Sequence, residues 1–226
     1  MYRETKTHEI TVDVVIFTIK KGNLQVLLVQ RSKEPFINKW AIPGGFVRLS
    51  ENLDEAAQRL LYEKSNLKDV YLEQIYTFGD PLRYPNSRVI TVAYFALIRS
   101  ENLVLKFDHN DNIKQVSWHS VYDLPPLAFD HQKIVEYAAK KLRTELEHSS
   151  TAFQLLPPKF TLTELQNAYE IILNTTLDKR NFRKKMLAMN ILNELDEYSK
   201  TQSKRPARLY SFDNITLNSK RGHFFS

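Results

Sequence analysis

The sequence has no cysteine among its 226 residues and no long uninterrupted apolar run. The first absence excludes a disulfide framework and any site built on a thiolate. A membrane-spanning helix needs roughly 20 consecutive apolar residues, so the second absence argues against a transmembrane segment. The first ten residues also lack the apolar core of a secretory signal peptide. We therefore expect a soluble, cytoplasmic protein that has no membrane partner.

Positive charge is concentrated in the C-terminal third of the chain. Residues 151–226 hold 12 Lys and Arg against 7 Asp and Glu, a net charge of +5. Residues 1–150 hold 20 Lys and Arg against 19 Asp and Glu, a net charge of only +1. A near-neutral first part joined to a basic second part predicts an acidic partner for the second part.

The composition changes between residues 147 and 160, where Ser, Thr and two prolines interrupt the apolar pattern. Such residues are typical of a domain boundary. We predict a first domain at 1–148, a linker at 149–158, and a second domain at 159–226 that ends in a short tail.

Residues rich in Val, Ile and Leu predict strands at 9–19, 24–30 and 89–98. The turn sequence at 20–23 joins the first two strands as a hairpin. Residues 53–64 have the spacing of an amphipathic helix. Its predicted inward-facing side chains are Leu53, Ala56, Leu60 and Leu61.

Residues 44–67 carry glycine and charged residues at a distinctive spacing. Five residues separate Gly45 from Glu51, seven more precede Arg59, and Glu63 follows four positions later. This spacing resembles the Nudix box, the motif with which the Nudix family holds divalent cations for hydrolysis of nucleoside diphosphates. The resemblance implies a Nudix-type fold around a helix that begins near residue 53.

The segment departs from the Nudix pattern at the positions that bind metal. Positions 60, 63 and 64 share one face of the predicted helix, and they hold Leu60, Glu63 and Lys64 where the family has three glutamates. Asn66 replaces the closing glycine. Because an isobutyl group cannot ligate magnesium and an ammonium repels it, we expect no metal, no cofactor and no catalytic residue here. Ligands from elsewhere in the chain would still permit hydrolysis, so that alternative stays open.

Several residues around the box are candidates for binding a small molecule. The Gly44–Gly45 pair permits close approach of a ligand, aromatic rings can stack on a base or sugar, and arginine suits phosphate or carboxylate. The candidates are Arg31, Trp40, Gly45, Phe46, Arg83, Arg88 and His131. The alternatives are core packing for the aromatic residues, solvated loop charges for Arg83 and Arg88, and a surface or helix-cap histidine at 131. Asp130 is a candidate helix cap.

The second part has the pattern of a winged helix-turn-helix. Thr161 and Glu164 are spaced as a capping box at the start of one helix, and Asp178 is a candidate cap for the next. Two short strands follow on either side of a basic loop at 199–207. The second helix has an inward stripe formed by Phe182, Met186 and Met189.

Basic residues coincide with the helix and the hairpin that this motif directs at DNA. The candidate DNA-binding residues are Lys179, Arg180, Asn181, Arg183 and Lys184 in the helix, and Lys204, Arg205 and Arg208 in the hairpin. We expect the helix to enter the major groove and the hairpin to contact phosphates. The alternative is that the basic helix is only a solvated face.

The whole chain resembles Nudix-related transcriptional regulators. Residues 9–145 are similar to a degenerate Nudix domain, including the sequence at 127–131, and residues 159–213 are similar to the regulators' winged helix. The implied fold class is α+β: a Nudix-type α/β/α sandwich with a mixed sheet, followed by a winged helix-turn-helix domain. The family implies a homodimer on a double-stranded DNA operator and a small-molecule effector, either ADP-ribose or a sugar such as arabinose. Similarity across 155–186 slightly favours the sugar.

Three functions therefore remain open. The resemblance favours a ligand-responsive transcriptional regulator whose Nudix domain is catalytically inactive. The second function is a Nudix hydrolase acting on ADP-ribose or a related nucleoside diphosphate. The third is an adaptor that binds RNA or protein and has no effector.

Overall fold

A computed structural model describes most of the chain. The described residues are 8–66, 70–99, 112–148, 151–199 and 206–212, so the candidates Lys204 and Arg205 lie outside them. The chain divides into two compact units, Met1–Lys141 and Leu142–Ser226. The division falls a few residues before the boundary expected at 148, which stays a prediction.

The first unit contains a mixed sheet flanked by helices. Its elements are β1 (Glu9–Lys20), β2 (Asn23–Arg31), β3 (Trp40–Ala41), β4 (Gly44–Phe46), α1 (Leu53–Ser65), β5 (Tyr71–Phe78), β6 (Val89–Leu97) and β7 (Ile113–Ser120), followed by α2 (His131–His148), whose last residues belong to the second unit. Among the described residues, seven strands form one sheet in the order β3-β2-β1-β6-β5, with β4 also pairing with β1 and β7 with β2. The β1–β6 pair is parallel and the other strand pairs are antiparallel. The predicted mixed sheet is confirmed.

Alternation along β1 divides its side chains between the two faces of the sheet. Val12 and Val14 pack in one cluster with Leu60 of α1. Asp13 points to the opposite face, where His131 at the start of α2 approaches it. Strand β6 is buried at nearly every position, because helices cover both faces of a sandwich of this kind. The predicted α/β/α arrangement is confirmed.

Helix α1 is defined at both ends by asparagine. The Asn52 side chain accepts a hydrogen bond from the Glu55 amide, and the Glu55 carboxylate accepts one from the Asn52 amide, which completes a capping box. The helix ends at Asn66, whose φ of 56° lies in the left-handed region. Asparagine tolerates this region better than most residues, so Asn66 can replace the glycine of the Nudix pattern without breaking the helix end.

The second unit is a winged helix, as predicted. After the end of α2 come a short 3-10 helix (Thr151–Leu155), β8 (Phe160–Thr161), α3 (Leu162–Leu173), α4 (Lys179–Ala188), β9 (Leu192–Tyr198) and β10 (Arg208–Phe212). The strands pair in the order β8-β10-β9. Thr161 with Glu164 caps α3, and Asp178 caps α4, as the sequence indicated.

Aromatic packing closes the core of the second unit. The Phe212 ring stacks on Phe153 at a centroid distance of 3.4 Å and on Phe160 at 4.7 Å. Of the three predicted inward residues of α4, Phe182 and Met186 are buried, whereas Met189 lies at the C-terminal cap and is half-buried. Because Phe153 belongs to the predicted linker, part of that segment contributes to the hydrophobic core.

Within the described part of the chain, none of the helices combines the length and the apolar character that crossing a membrane requires.

Candidate ligand pocket and nucleic-acid interface

A cavity of about 450 Å³ is lined by residues of β1, β2, β4 and α2 and by the loop before β6. Cavities of roughly 300–1,000 Å³ are typical of small-molecule sites. Five of the seven predicted ligand-binding residues line this cavity: Arg31, Gly45, Phe46, Arg83 and His131. Phe46 is 50% exposed, so it is not the core residue that the alternative interpretation described.

Arg83 is part of a buried ionic cluster at the cavity wall. It donates to the two carboxylate oxygens of Asp130, over 3.1 Å from Nε and 2.9 Å from Nη2. Its Nη2 also lies 3.4 Å from an oxygen of Asp13. Arg83 and Asp13 are only 8% and 5% exposed. Arg83 is therefore no solvated loop charge, and the carboxylate of Asp130, a candidate helix cap in the sequence, pairs with Arg83.

His131 is buried beside this cluster, which corrects the alternative of a surface or cap histidine. Its Nδ1 accepts a hydrogen bond of 3.1 Å from the Ile42 amide. The ring proton is therefore on Nε2, which lies 3.8 Å from Asp13 Oδ1. Burial lowers the pKa of His131, so the neutral form is favoured near pH 7.

The two glycines of β4 permit close contacts with neighbouring side chains. A Cβ at Gly44 would lie 2.0 Å from Asp13 Oδ1. A Cβ at Gly45 would lie 2.9 Å from the Leu60 side chain. Leu60 thus fills the space over Gly45, and β4 reaches the buried carboxylate because neither residue has a side chain.

A group of aromatic rings forms another part of the cavity wall. Tyr84 and Phe129 are stacked, with centroids 5.2 Å apart and an interplanar angle of 10°. The Arg31 guanidinium lies 4.9 Å from the centre of the Phe129 ring, within the range of a cation–π contact. Phe129 has a φ of 54°, a strained backbone conformation for a bulky residue. Sequence reasoning missed Tyr84 and Phe129, although the family-like sequence at 127–131 was a signal for the latter.

Trp40 and Arg88, the other two predicted ligand-binding residues, do not line the cavity. The Trp40 ring packs edge-on against His119 at a centroid distance of 4.5 Å. The Arg88 guanidinium donates to the carbonyl oxygens of Gly79 and Asp80 over 2.8 and 3.1 Å. Both side chains stabilise the local structure, so we no longer expect them to contact a ligand in this cavity.

The Nudix box has lost the arrangement that would hold magnesium. Leu60 is 3% exposed and packs in the core. Arg59 donates to Glu51 over 2.5 and 2.8 Å and lies 3.4 Å from Glu63. The hydrogen bond from Arg59 lowers the pKa of Glu51 to about 2. Arg48 also lies 3.4 Å from Glu63.

Both remaining carboxylates of the box are therefore paired with guanidinium groups. Within the described residues, no cluster of three His, Cys, Asp or Glu side chains is arranged to hold a metal ion. Magnesium binds through carboxylate and water oxygens, and the residues present do not fit it.

Helix α4 presents a basic surface on the second unit. The predicted DNA-binding residues of this helix are all exposed: Lys179, Arg180, Asn181, Arg183 and Lys184. Lys185 is also exposed and extends this surface. Phe182 and Met186 hold the opposite side in the core. The helix therefore combines a fixed apolar side with a row of cations facing away from it.

Arg208 in the hairpin differs from the basic residues of α4. Its guanidinium donates to the carboxylate of Glu194 and, over 2.8 Å, to the hydroxyl of Tyr198. These two bonds raise the pKa of Arg208. The side chain that we expected to meet phosphate is thus already paired within the hairpin.

Comparison with known proteins identifies both units. Residues 7–138 match the NUDIX domain family, and residues 152–212 match the family of NrtR DNA-binding winged helix domains. An ADPR-responsive transcriptional repressor from Acinetobacter baylyi is 42% identical over 89% of this chain and 81% of its own length.

Two crystal structures from Shewanella oneidensis are also similar. NrtR in complex with a 27-mer DNA has a TM-score of 0.77 and 31% identity, covering 92% of this chain and 95% of that one. The NUDIX domain of the same protein in complex with ADP-ribose has a TM-score of 0.55 and 36% identity, covering 61% of this chain and 90% of that one.

A Nudix domain that has a ligand-sized cavity and lacks two of the three metal-binding glutamates, followed by a winged helix with a basic helix α4, defines a ligand-responsive DNA-binding regulator. The chain belongs to the NrtR family of Nudix-related transcriptional regulators.

Proposed function

We propose that this protein is an ADP-ribose-responsive transcriptional regulator, which binds ADP-ribose in the 450 Å³ cavity and operator DNA through α4. The observation that carries the proposal is the cavity itself. It brings stacked aromatic rings and cationic side chains together next to a Nudix box that no longer fits a metal.

The chemistry of the cavity matches the parts of ADP-ribose. Tyr84, whose ring is stacked on Phe129, lines the cavity and offers a flat ring on which adenine can stack. Arg31 and Lys33 bring positive charge to the cavity wall, where a pyrophosphate would carry two negative charges. The uncovered backbone at Gly44 and Gly45 lets the ligand approach closely.

This cavity would bind ADP-ribose and leave it intact. Hydrolysis of a pyrophosphate by a Nudix box relies on divalent cations to neutralise charge and activate water. Leu60 supplies no ligand, and Glu51 and Glu63 are paired with arginine. A sensor benefits from this loss, because a site that destroyed its effector would erase the signal.

ADP-ribose replaces the sugar as the favoured effector. The slight sequence preference for a sugar came from the DNA-binding half, which does not form the cavity. The repressor from Acinetobacter baylyi is described as ADPR-responsive, and the Shewanella oneidensis domain was crystallised with ADP-ribose. A sugar such as arabinose stays a prediction that the same titration tests.

The regulator is expected to act as a homodimer. A winged helix reads one half-site with one helix, and a second copy related by a two-fold axis would read the other half of a pseudo-palindromic operator. Sedimentation of the protein with and without operator DNA measures this stoichiometry.

A calorimetric titration of the purified protein with ADP-ribose is expected to show saturable binding. The same titration with arabinose should show no binding. Incubation of the protein and ADP-ribose with magnesium or manganese should release no AMP above a control without protein.

Tyr84→Ala should weaken ADP-ribose binding by roughly 1–3 kcal/mol, the usual contribution of a base stacked on an aromatic ring. Tyr76→Ala is the matched control, since Tyr76 is exposed on β5 and does not line the cavity. Binding of arabinose alone, or metal-dependent release of AMP, would reject the proposal.

DNA binding is expected to depend on α4 more than on Arg208. We suggest selecting a duplex with the wild-type protein from a random pool and measuring each variant against it. Arg180→Ala and Arg183→Ala should each lower the affinity by roughly 1–3 kcal/mol if the side chain contacts a guanine. Arg208→Ala should have a smaller effect, because its guanidinium is already bound to Glu194 and Tyr198.

Lys39→Ala, an exposed cation of the first unit, is the control that should leave DNA affinity unchanged. Arg205→Ala should weaken binding to all sequences and flatten the salt dependence, as expected for a phosphate contact. If the α4 variants bind every duplex like the wild type, the basic side chains of α4 are merely solvated. That result would favour an adaptor that binds RNA or protein.

A further inference from the structure

Two side chains of α3 form hydrogen bonds with the turn between α3 and α4. The Leu177 amide donates a hydrogen bond of 2.8 Å to Glu170 Oε1. The Leu177 carbonyl oxygen accepts one of 2.9 Å from the side-chain amide of Gln166. Gln166 also donates to the same Glu170 oxygen over 3.0 Å. Both backbone polar groups of Leu177 are therefore satisfied by side chains from the preceding helix.

This attachment point lies directly before the first turn of α4. Leu177 is followed by Asp178, whose side chain accepts from the Asn181 amide over 2.8 Å and caps the helix. At the other end of the turn, Asn174 takes a left-handed φ of 53° and its amide donates to the Glu170 carbonyl oxygen. Glu170 thus contacts the start of the turn through its backbone and the end of the turn through its side chain.

The apolar contacts between the two helices do not fix this geometry alone. Tyr169 meets Phe182 edge-on at a centroid distance of 5.2 Å. Such packing is favourable over a range of small rotations, because hydrophobic contact has no strong direction. Hydrogen bonds are directional and weaken steeply when misaligned. The bonds at Leu177 therefore hold the residue that precedes the Asp178 cap and restrict the direction of the first turn of α4.

Gln166 is a polar side chain that is only 8% exposed. Its amide group would lose its partners if the turn moved, and an unsatisfied buried polar group is destabilising. The same bonds lower the pKa of Glu170, so its carboxylate stays ionised and is a strong acceptor near pH 7.

We propose that Gln166 and Glu170 are positioning residues for DNA recognition, which orient α4 so that its basic side chains reach base edges in register. The inference rests on the proposed role of α4 as the DNA-reading helix. Phosphate contacts tolerate small displacements of a helix, whereas contacts to base edges require a defined geometry. Loss of the attachment therefore lowers discrimination between sequences more than it lowers total affinity for DNA.

The experiment compares variants of the full chain on two duplexes. One duplex is selected from a random pool by the wild-type protein, and the other is its scrambled sequence of equal length and composition. The measured quantity is the discrimination ratio, which is the dissociation constant for the scrambled duplex divided by that for the selected duplex. The salt dependence of binding to the scrambled duplex is measured as well. Thermal unfolding of each variant reports whether the second unit is folded.

Glu170→Leu removes the acceptor and should lower the ratio about tenfold, while binding and salt dependence on the scrambled duplex stay close to those of the wild type. Glu170→Gln keeps an oxygen that can accept both bonds, and it should retain most of the discrimination. Gln166→Leu should resemble Glu170→Leu. Asn167→Leu, an exposed position on the same helix, is the matched control and should leave the ratio unchanged.

An unchanged ratio in both Glu170→Leu and Gln166→Leu would overturn the proposal. Equal losses on the two duplexes with a lower unfolding temperature would also overturn it, because they indicate a merely structural role. If Glu170→Gln loses as much discrimination as Glu170→Leu, the acceptor oxygen shared by the two bonds is not what orients α4. If the wild-type protein selects no duplex at all, the DNA-binding function has failed, which is a distinct result.

Discussion

Replacing Arg83 with methionine is expected to lower the free energy of unfolding by about 3–5 kcal/mol. The side chain lies within hydrogen-bonding or ion-pair distance of Asp130 and Asp13. Removing the guanidinium leaves these two carboxylates beside each other in a buried site without a cation. A buried ion pair adds little stability compared with apolar groups of similar size. Removing one partner is nevertheless strongly destabilising, because the other charge is left buried without a partner.

Urea denaturation followed by circular dichroism measures this loss. Arg88→Met is the matched control, because Arg88 donates to two carbonyl oxygens near the surface and pairs with no carboxylate among the described residues, and it should cost less than half as much. Combining Arg83→Met with Asp130→Leu should recover part of the stability, since one of the unpaired carboxylates is removed. Equal transition midpoints for Arg83→Met and the wild type would show that the cluster is not a stabilising ion pair.

ADP-ribose is expected to change the affinity of the protein for its selected duplex by about 5–150-fold, the usual range for an allosteric coupling of 1–3 kcal/mol. The physical requirement is that ADP-ribose binds the DNA-competent and DNA-incompetent forms with different affinity. By linkage, the duplex must change the affinity for ADP-ribose by the same factor.

Two titrations test this coupling. In one, fluorescence anisotropy follows the labelled duplex with and without saturating ADP-ribose. In the other, calorimetry follows ADP-ribose with and without the duplex. Tyr84→Ala should need more ADP-ribose to produce the shift, while Arg180→Ala should weaken DNA binding without moving the affinity for ADP-ribose in the absence of DNA. Identical curves in both titrations would mean that the cavity does not control the winged helix.

The local features of the fold were determined by the sequence. The Thr161–Glu164 capping box, the Asp178 cap and the burial of Phe182 and Met186 each depend on residues within one or two helical turns. Spacing alone therefore predicted them correctly. The same is true of the Nudix box, where the helix periodicity places Leu60 in the core. The concentration of basic charge in the second part followed directly from counting residues in the sequence.

The composition of the cavity was decided by the tertiary structure. Asp13 meets Arg83 across 70 residues of sequence, and Arg83 meets Asp130 across 47. No local pattern encodes such pairs, because they depend on strand register and on how loops pack over the sheet. For the same reason His131 proved to be buried.

The fate of the arginines illustrates the same division. Arg83 and Arg88 flank one loop, and the sequence predicted both equally as ligand-binding residues. Packing turned one toward buried carboxylates at the cavity and the other toward backbone carbonyl oxygens. Periodicity and composition specify which residues are apolar, charged or capping. Only the three-dimensional contacts decide which charge a given side chain meets, because a guanidinium on a flexible stem takes the best acceptor within its reach.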